Sequence, residues 1–275
     1  MNYRLELLTQ KAFRLALYGL CACTLVFLVA PLLAIMPLSF NSEPFFTYPM
    51  PGYSLQWYRE FFESETWHLA MKNSFIVAIA ATVCSCLLGT LAALGLNRKD
   101  CPMRSLLMGI LISPMVIPIV VSAVGVYYYF ADLGLLNSLT GLVIAHTALG
   151  APFVVITVAA TLSTFDQNLM RAAASLGAPP LTAFRRVMLP IIAPGIASGA
   201  LFAFVTSFDE VVMALFLAGP EQRTLPRQMW IGVREQISPT ITAVATCLIL
   251  FSILLLVTVQ WLQGRAQRNK ARPAA

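Results

Sequence analysis

The stretch RAAASLGAPPLTAFRRVMLP, residues 171–190, interrupts a chain that is otherwise close to unbroken hydrocarbon. It is too polar to cross a bilayer, yet it is regularly patterned. Thr164 or Asp166 can cap a helix N-terminus. Phe165, Leu169, Ala172 and Leu176 then fall on one helical face. Ala172, Ala173 and Ala174 are the best helix formers and keep the segment slim. Gly177 suits the left-handed position past a helix end, with Pro179 close behind. Pro180 can open a second short helix, on which Leu181, Phe184 and Met188 share a face, and Pro190 starts the next apolar run. The spacing predicts two short helices with a sharp bend between them. On physical grounds two readings stay open. A slim bent segment can lodge in a groove of another protein, or it can rest on lipid headgroups with Arg185 and Arg186 on phosphates.

The flanking sequence explains why a membrane is the frame. The 275 residues are 59% hydrophobic and 11% charged, with a mean hydropathy of +0.78, whereas soluble domains carry about 25% charged residues. One soluble core cannot hide that much apolar surface, so lipid is the solvent. Six stretches are long enough to cross the hydrocarbon: about 15–38, 75–96, 106–130, 139–162, 191–217 and 241–262. Each is expected to be helical, because a span in lipid must satisfy its own backbone. The first is too long for a signal-peptide h-region, and no clear small-residue cleavage site follows it. The expected class is an all-α polytopic membrane protein with six transmembrane helices.

Charge orients the spans. With the N-terminus inside, the outer loops hold Arg59, Lys72, Arg223, Arg227 and Arg234, and the other thirteen of the 18 basic residues lie inside, Lys99 and Arg272 among them. The positive-inside rule then places both termini in the cytoplasm. Glu221 and Glu235 stand beside the outer arginines as candidate partners. The net charge of +6 is read as orientation and not as a nucleic-acid footprint. In the first outer loop, Trp57, Phe61 and Phe62 fall at helical spacing, with Glu60, Glu63 and Glu65 elsewhere. This predicts an amphipathic helix at the outer surface, either part of an interfacial aromatic belt or a docking surface for an outer partner.

Metal and catalytic chemistry find little support. Cys21 with Cys23 and Cys84 with Cys86 form C-x-C pairs, Cys101 and Cys247 stand alone, and no C-x-x-C occurs. The thiols are expected to be buried and inert, and His68 and His146 are too far apart in sequence to point to a shared metal. No H-E-x-x-H and no Ser/His pair in depth register marks an intramembrane enzyme, so neither catalytic nor metal-binding residues are assigned. The phosphate loop G-x-x-x-x-G-K-[ST] is also absent.

The fifth span carries adjacent acids, Asp209 and Glu210. Charge at membrane depth is costly and usually faces a cavity on a transport pathway. Asp209 lies roughly 27 Å along the helix from Ile191, in the outer half. Adjacent helical residues point about 100° apart, so one acid faces the pathway while the other is free to cap a helix or pair with an arginine. The alternative is a structural pair with Thr206 and Ser207. A pathway lined by acids favours a cation, and Tyr127, Tyr128 and Tyr129 offer faces for cation–π contact. Their alternative is the aromatic belt at the interface.

The opening stretch resembles the EAA loop of permease subunits of binding-protein-dependent ABC importers of type I (MetI-like). That pattern is Glu-Ala-Ala, three residues, Gly, nine residues, Ile-x-Leu-Pro. Here Arg171-Ala172-Ala173, Gly177 and Val187-Met188-Leu189-Pro190 keep the spacing, with Arg171 in the place of the glutamate. The resemblance implies residues 1–70 as an N-terminal tail, first span and outer loop. Residues 71–262 follow as the transmembrane domain, with a coupling loop at 163–190, and 263–275 form a basic cytoplasmic tail. It further implies that Arg171, Ala172, Ala173, Gly177, Leu189 and Pro190 engage an ABC ATPase subunit dimer, which carries the ATP and Mg while this chain binds no cofactor. A second permease subunit, a periplasmic solute-binding protein and the inner membrane complete the implied setting.

The local pattern Ser-Phe-Asp-Glu-Val-Val at 207–212, followed by FLAGPEQRTLP at 216–226, resembles the second permease of spermidine/putrescine importers. This implies polyamine cargo. Another cargo on the same machine (an opine, an amino-acid derivative or iron) and an ion-coupled secondary transporter are the alternatives, although no internal repeat of the kind many secondary transporters show is visible.

Overall fold

The computed structural model describes residues 2–98, 100–235 and 238–270; Lys99, Arg272 and the end of the basic tail lie outside the described residues. The regular secondary structure of the described residues is helical, apart from one isolated bridge between Asn41 and Tyr53. It divides into two compact units, residues 65–231 and residues 1–64 with 232–275. Among the described residues five helices are long and apolar enough to cross a membrane, and a bent pair makes up to six.

The second of these units contains α1 (Asn2–Leu38), α2 (Gln56–Glu63) and α12 (Pro239–Lys270). The loop between α1 and α2 is built around Asn41, whose carbonyl accepts from Trp57 Nε1 at 2.6 Å and whose Nδ2 donates to the Phe45 carbonyl at 2.6 Å. Thr240 Oγ1 donates to Glu60 at 2.8 Å, tying α2 to the start of α12. As expected α2 is amphipathic, with Phe61 buried and Trp57 half-buried, but Phe62 points outward. Neighbouring residues on a helix diverge by about 100°, so Phe61 and Phe62 cannot share the inner face.

The larger unit is organised by three interlocked helices, α3 (Glu65–Leu96), α6 (Leu139–Ser163) and α9 (Leu189–Phe208). Lipid removes the hydrophobic drive between helices, so close van der Waals approach and interhelical hydrogen bonds hold them. Small residues permit that approach. A Cβ on Gly199 of α9 would lie 2.8 Å from the Val154 Cα of α6. Ser85 Oγ of α3 donates to the Thr147 carbonyl of α6 at 3.2 Å. Around them Ala93, Val154, Val158, Leu162, Ile192 and Ala203 form one buried cluster.

The third expected span is not a single helix. It is α4 (Arg104–Val116) and α5 (Ile119–Asp132), bent by 100°. Pro118 has no N–H and disfavours the helical region for the residue before it, and Ile117 is accordingly extended at φ −70°, ψ 131°. The fifth span is likewise interrupted. α9 stops at Phe208 and α10 (Val212–Leu217) follows after three residues. At its other end the expected start at Pro190 is absent. α8 (Pro180–Ala183) passes through a π turn at Phe184–Met188 directly into α9, giving one continuous run from Pro180 to Phe208. Leu189 N donates to the Phe184 carbonyl, an i→i−5 bond. A proline ring at 190 would collide with the carbonyl four residues back in a regular helix, and the wider turn relieves this.

The six cysteines are free but not buried. Cys21 and Cys23 are exposed on α1 and the other four are half-buried. On helices whose outer face meets acyl chains, a small apolar side chain needs no protein cover.

Candidate functional site

The bent segment begins with Asp166, whose carboxylate accepts from Asn168 N at 2.9 Å and opens α7 (Asn168–Ser175). α7 ends as its glycine requires. Gly177 sits at φ +80°, Gly177 N donates to the Ala174 carbonyl at 2.9 Å, and Ala178 N donates to the Ala173 carbonyl at 3.0 Å. This pair of bonds is the Schellman closure, which consumes the orphan carbonyls of the helix end. Pro179 is extended, and Pro180 opens α8.

The faces differ from expectation in two places. Phe165 precedes α7 and is buried, while Leu169 and Leu176 point outward, Leu176 with 88% exposure. Phe184 and Met188 pack on the α3–α6–α9 cluster, but Leu181 is exposed. Arg171, Arg185 and Arg186 are all exposed. Arg171 lines an open cleft of about 830 Å³ of mixed character, with Asn97, Arg98, Asp100, Arg104 and Gln167 beside Phe165 and Met170. Ala172 is exposed and Ala173 half-buried on α7, and Leu189 and Pro190 lie in the first turn of α9.

The second assembly is the break after α9, where the adjacent acids part company. Glu210 is buried, and its carboxylate accepts from Val212 N at 2.8 Å and from Met213 N at 2.6 Å. It caps α10, where a negative charge also meets the positive end of the helix dipole. Asp209 ends α9 and is exposed.

The inner side of the break is held by α6. His146 Nδ1 hydrogen-bonds Ser207 Oγ at 2.8 Å, and its Nε2 stands 3.9 Å from Glu210 Oε2. The imidazole is 1% exposed. His146→Leu strands Ser207 in the core and is expected to destabilise the purified protein by about 1–3 kcal/mol. His146→Asn keeps a polar atom near the Nδ1 position and should recover most of that loss. Thermal unfolding of both variants in lipid nanodiscs checks this, and equal losses would show that packing alone matters.

The three tyrosines lie on the last turns of α5 and are exposed. Tyr127 and Tyr128 meet edge-to-face at 5.6 Å, and Tyr129 meets Phe130 at 6.2 Å. Phe130 and Ala123 pack with Met213 and Ala214 of α10, so α5 flanks the break through its other face. Phenylalanines cluster at the C-terminal end of α9. Phe204 stacks on Phe208 at 5.5 Å, and Phe75 of α3 meets Phe208 at 5.2 Å. The sequence reading missed Phe75, Phe204, Phe208 and His146, although the i, i+4 pair in FAFVTSF, residues 202–208, was a visible signal.

Beyond α10 the chain is pinned to α3. Asn73 Nδ2 donates to the carbonyls of Glu221 and Arg223, and Ser74 Oγ accepts from Leu225 N. Arg223 and Arg227 turn to neutral acceptors, Gln228 Oε1 at 3.3 Å and the Gly219 carbonyl at 2.6 Å, in place of the acids expected to pair with them. Burial, and then the adjacent Arg223 charge, lower the Arg227 guanidinium pKa from its ordinary value.

Residues 85–271 match the family described as the binding-protein-dependent transport system inner membrane component. The chain belongs to this family. The permease is 30% identical over 247 residues to the spermidine/putrescine transport system permease protein PotC of Escherichia coli K12, covering 90% of this chain and 93% of that one. It is 33% identical over 258 residues to the putrescine transport system permease protein PotI of the same strain, covering 90% of each. In fold it resembles a chain in the crystal structure of a bacterial ABC transporter that imports the acidic polysaccharide alginate. The TM-score is 0.74 at 16% identity, over 92% of this chain and 96% of that one. A second crystal structure, of a bacterial alginate ABC transporter with an alginate pentasaccharide-bound periplasmic protein, gives a TM-score of 0.66 at 17% identity, over 94% and 96%. The permease is therefore a multi-pass inner-membrane transport component and not a catalytic chain.

Proposed function

We propose that the permease is one membrane subunit of an ATP-driven importer of polyamines, with spermidine and putrescine as cargo. The observation that carries this is kinship with two polyamine permeases along nine-tenths of all three chains. The exposed Asp209 at the end of a broken helix supports it, because cationic cargo needs a carboxylate inside the membrane. Residues 71–262 act as the transporting domain, with both termini and the 163–190 loop in the cytoplasm as the distribution of Lys and Arg requires. The loop engages an ATPase subunit dimer, which holds ATP and Mg. A second permease subunit completes the pathway, and a periplasmic binding protein delivers cargo at the opposite face. The exposed Leu176 and Leu181 support docking into a partner's groove, since large apolar side chains on the bent segment are left uncovered by this chain.

The test is uptake of radiolabelled putrescine and spermidine by proteoliposomes containing the permease with its co-assembling subunits. ATP should drive accumulation and a non-hydrolysable analogue should not. Accumulation that persists with the analogue and follows an ion gradient would overturn the reading in favour of secondary transport.

A further inference from the structure

We propose that the junction of α3, α4 and α7 holds an anionic phospholipid, with its phosphate in the cleft lined by Arg98, Arg104 and Arg171 and an acyl chain in the apolar groove beside that cleft. The site goes beyond the importer reading and stands whatever the permease carries.

Two cavities of different character adjoin at this junction. The cleft of about 830 Å³ gathers three arginines from three places in the chain, and all three are exposed. Asp100 is the one acid among its lining residues, so the three arginines leave an excess of two positive charges. Among the described residues none of the three pairs with a carboxylate. The second cavity, of about 450 Å³, is a mainly apolar groove lined by Gly95 and Leu96 of α3 and by Leu107, Ile110 and Leu111 of α4. Arg98 and Asp100 line both cavities, so basic cleft and apolar groove share an edge.

The ends of the apolar helices set the level of this edge. α3 is long and apolar enough to cross a membrane, and α4 with α5 passes the same test as a bent pair. Arg98 stands two residues past the end of α3, and Arg104 is the first residue of α4. Basic side chains at the ends of such helices reach the headgroup layer, and basic pockets between them bind anionic headgroups. α4 also opens without a side-chain cap, so its leading amides and the positive end of its dipole favour an anion at the same end.

The pairing of the two cavities decides the occupant. An acidic segment of a partner protein matches the arginines but leaves the groove empty. A phosphodiester with a hydrocarbon tail uses both. A choline headgroup brings a cation that the surplus arginine charge repels, so phosphatidylglycerol is favoured over phosphatidylcholine.

The test places the full-length permease in phosphatidylcholine nanodiscs with a trace of photoactivatable lipid, its diazirine on the acyl chain and its headgroup either glycerol or choline. Adducts within residues 92–111, the segment that lines the groove, are quantified by peptide mass spectrometry. The phosphatidylglycerol probe should label this segment about 5- to 30-fold more than the phosphatidylcholine probe, the range of one to two arginine–phosphate contacts. Arg98→Gln combined with Arg104→Gln should abolish the excess. Gly95→Leu fills the groove without a clash, since nothing within 4 Å would meet its Cβ, and should also abolish the excess although every arginine remains. Gly109→Leu adds the same bulk to α4 away from the groove lining, with equally free space at its Cβ, and should retain it. Equal labelling by the two probes overturns the site. An excess that survives the arginine pair, or survives Gly95→Leu, does the same. Glutamine variants that leave labelling unchanged but no longer co-purify with the ATPase subunit would give the cleft to an acidic partner segment instead.

Discussion

Gly177→Val is expected to leave the permease folded and inserted while reducing ATP-driven transport to a few per cent or less. The backbone at 177 is at φ +80°, a region that costs an ordinary L-residue about 1–2 kcal/mol and is worse for a β-branched one. Nothing within 4 Å would meet a new Cβ, so the penalty is purely conformational and confined to the turn. It is relieved by abandoning the left-handed geometry. The bonds from Gly177 and Ala178 to the carbonyls of Ala174 and Ala173 are then lost, and α7 no longer points where the bend sends it. Gly177→Asn supplies the control, because asparagine tolerates this region. It should retain far more transport than valine. The measurement is uptake together with substrate-stimulated ATP hydrolysis in the assembled transporter. Valine with full coupling would remove the bend from the proposed mechanism.

Gly199→Leu has the opposite character, with the loss falling on the fold itself. Its Cβ would lie 2.6 Å from Thr157 Oγ1 and 2.8 Å from the Val154 Cα. The threonine can rotate but the backbone cannot, so α6 and α9 must move apart. Overpacking a fitted core costs about 1–3 kcal/mol. Here the higher end or beyond is expected, since separation also weakens the shared contacts of Val154, Ile192 and Ala203. Unfolding of the purified permease in lipid reads this directly. Gly109→Leu is the comparison, since nothing within 4 Å would meet its Cβ. Equal stability of the two variants would contradict the tight α6–α9 contact.

These two glycines show where the sequence was informative. Gly177 announces itself, because alanines before it and prolines after it leave few other conformations. Gly199 does not, because close approach depends on a partner helix that no local pattern specifies. The spans were legible as apolar length, but length carries no direction. A window over residues 106–130 returns one stretch whether or not Pro118 turns the chain by 100°. The break after Phe208 was equally silent, because FDEVV continues an apolar run. Only the structure separates Glu210, drawn inward to the α10 amides, from Asp209. The tyrosines drew notice as a triplet in sequence, whereas Phe75 joins Phe204 and Phe208 only through the packing of α3 on α9.

The continuous run from Pro180 to Phe208, 29 residues through a π turn, spans about 43 Å as a single body. Its two ends share one equilibrium and are not sender and receiver. Under the proposed function, whatever factor ATPase engagement contributes to cargo affinity at the far end, cargo returns to ATPase affinity at the near end, because binding linkage is reciprocal. The permease therefore needs no separate sensor to report an occupied site, since the rod that delivers the stroke is already the gauge.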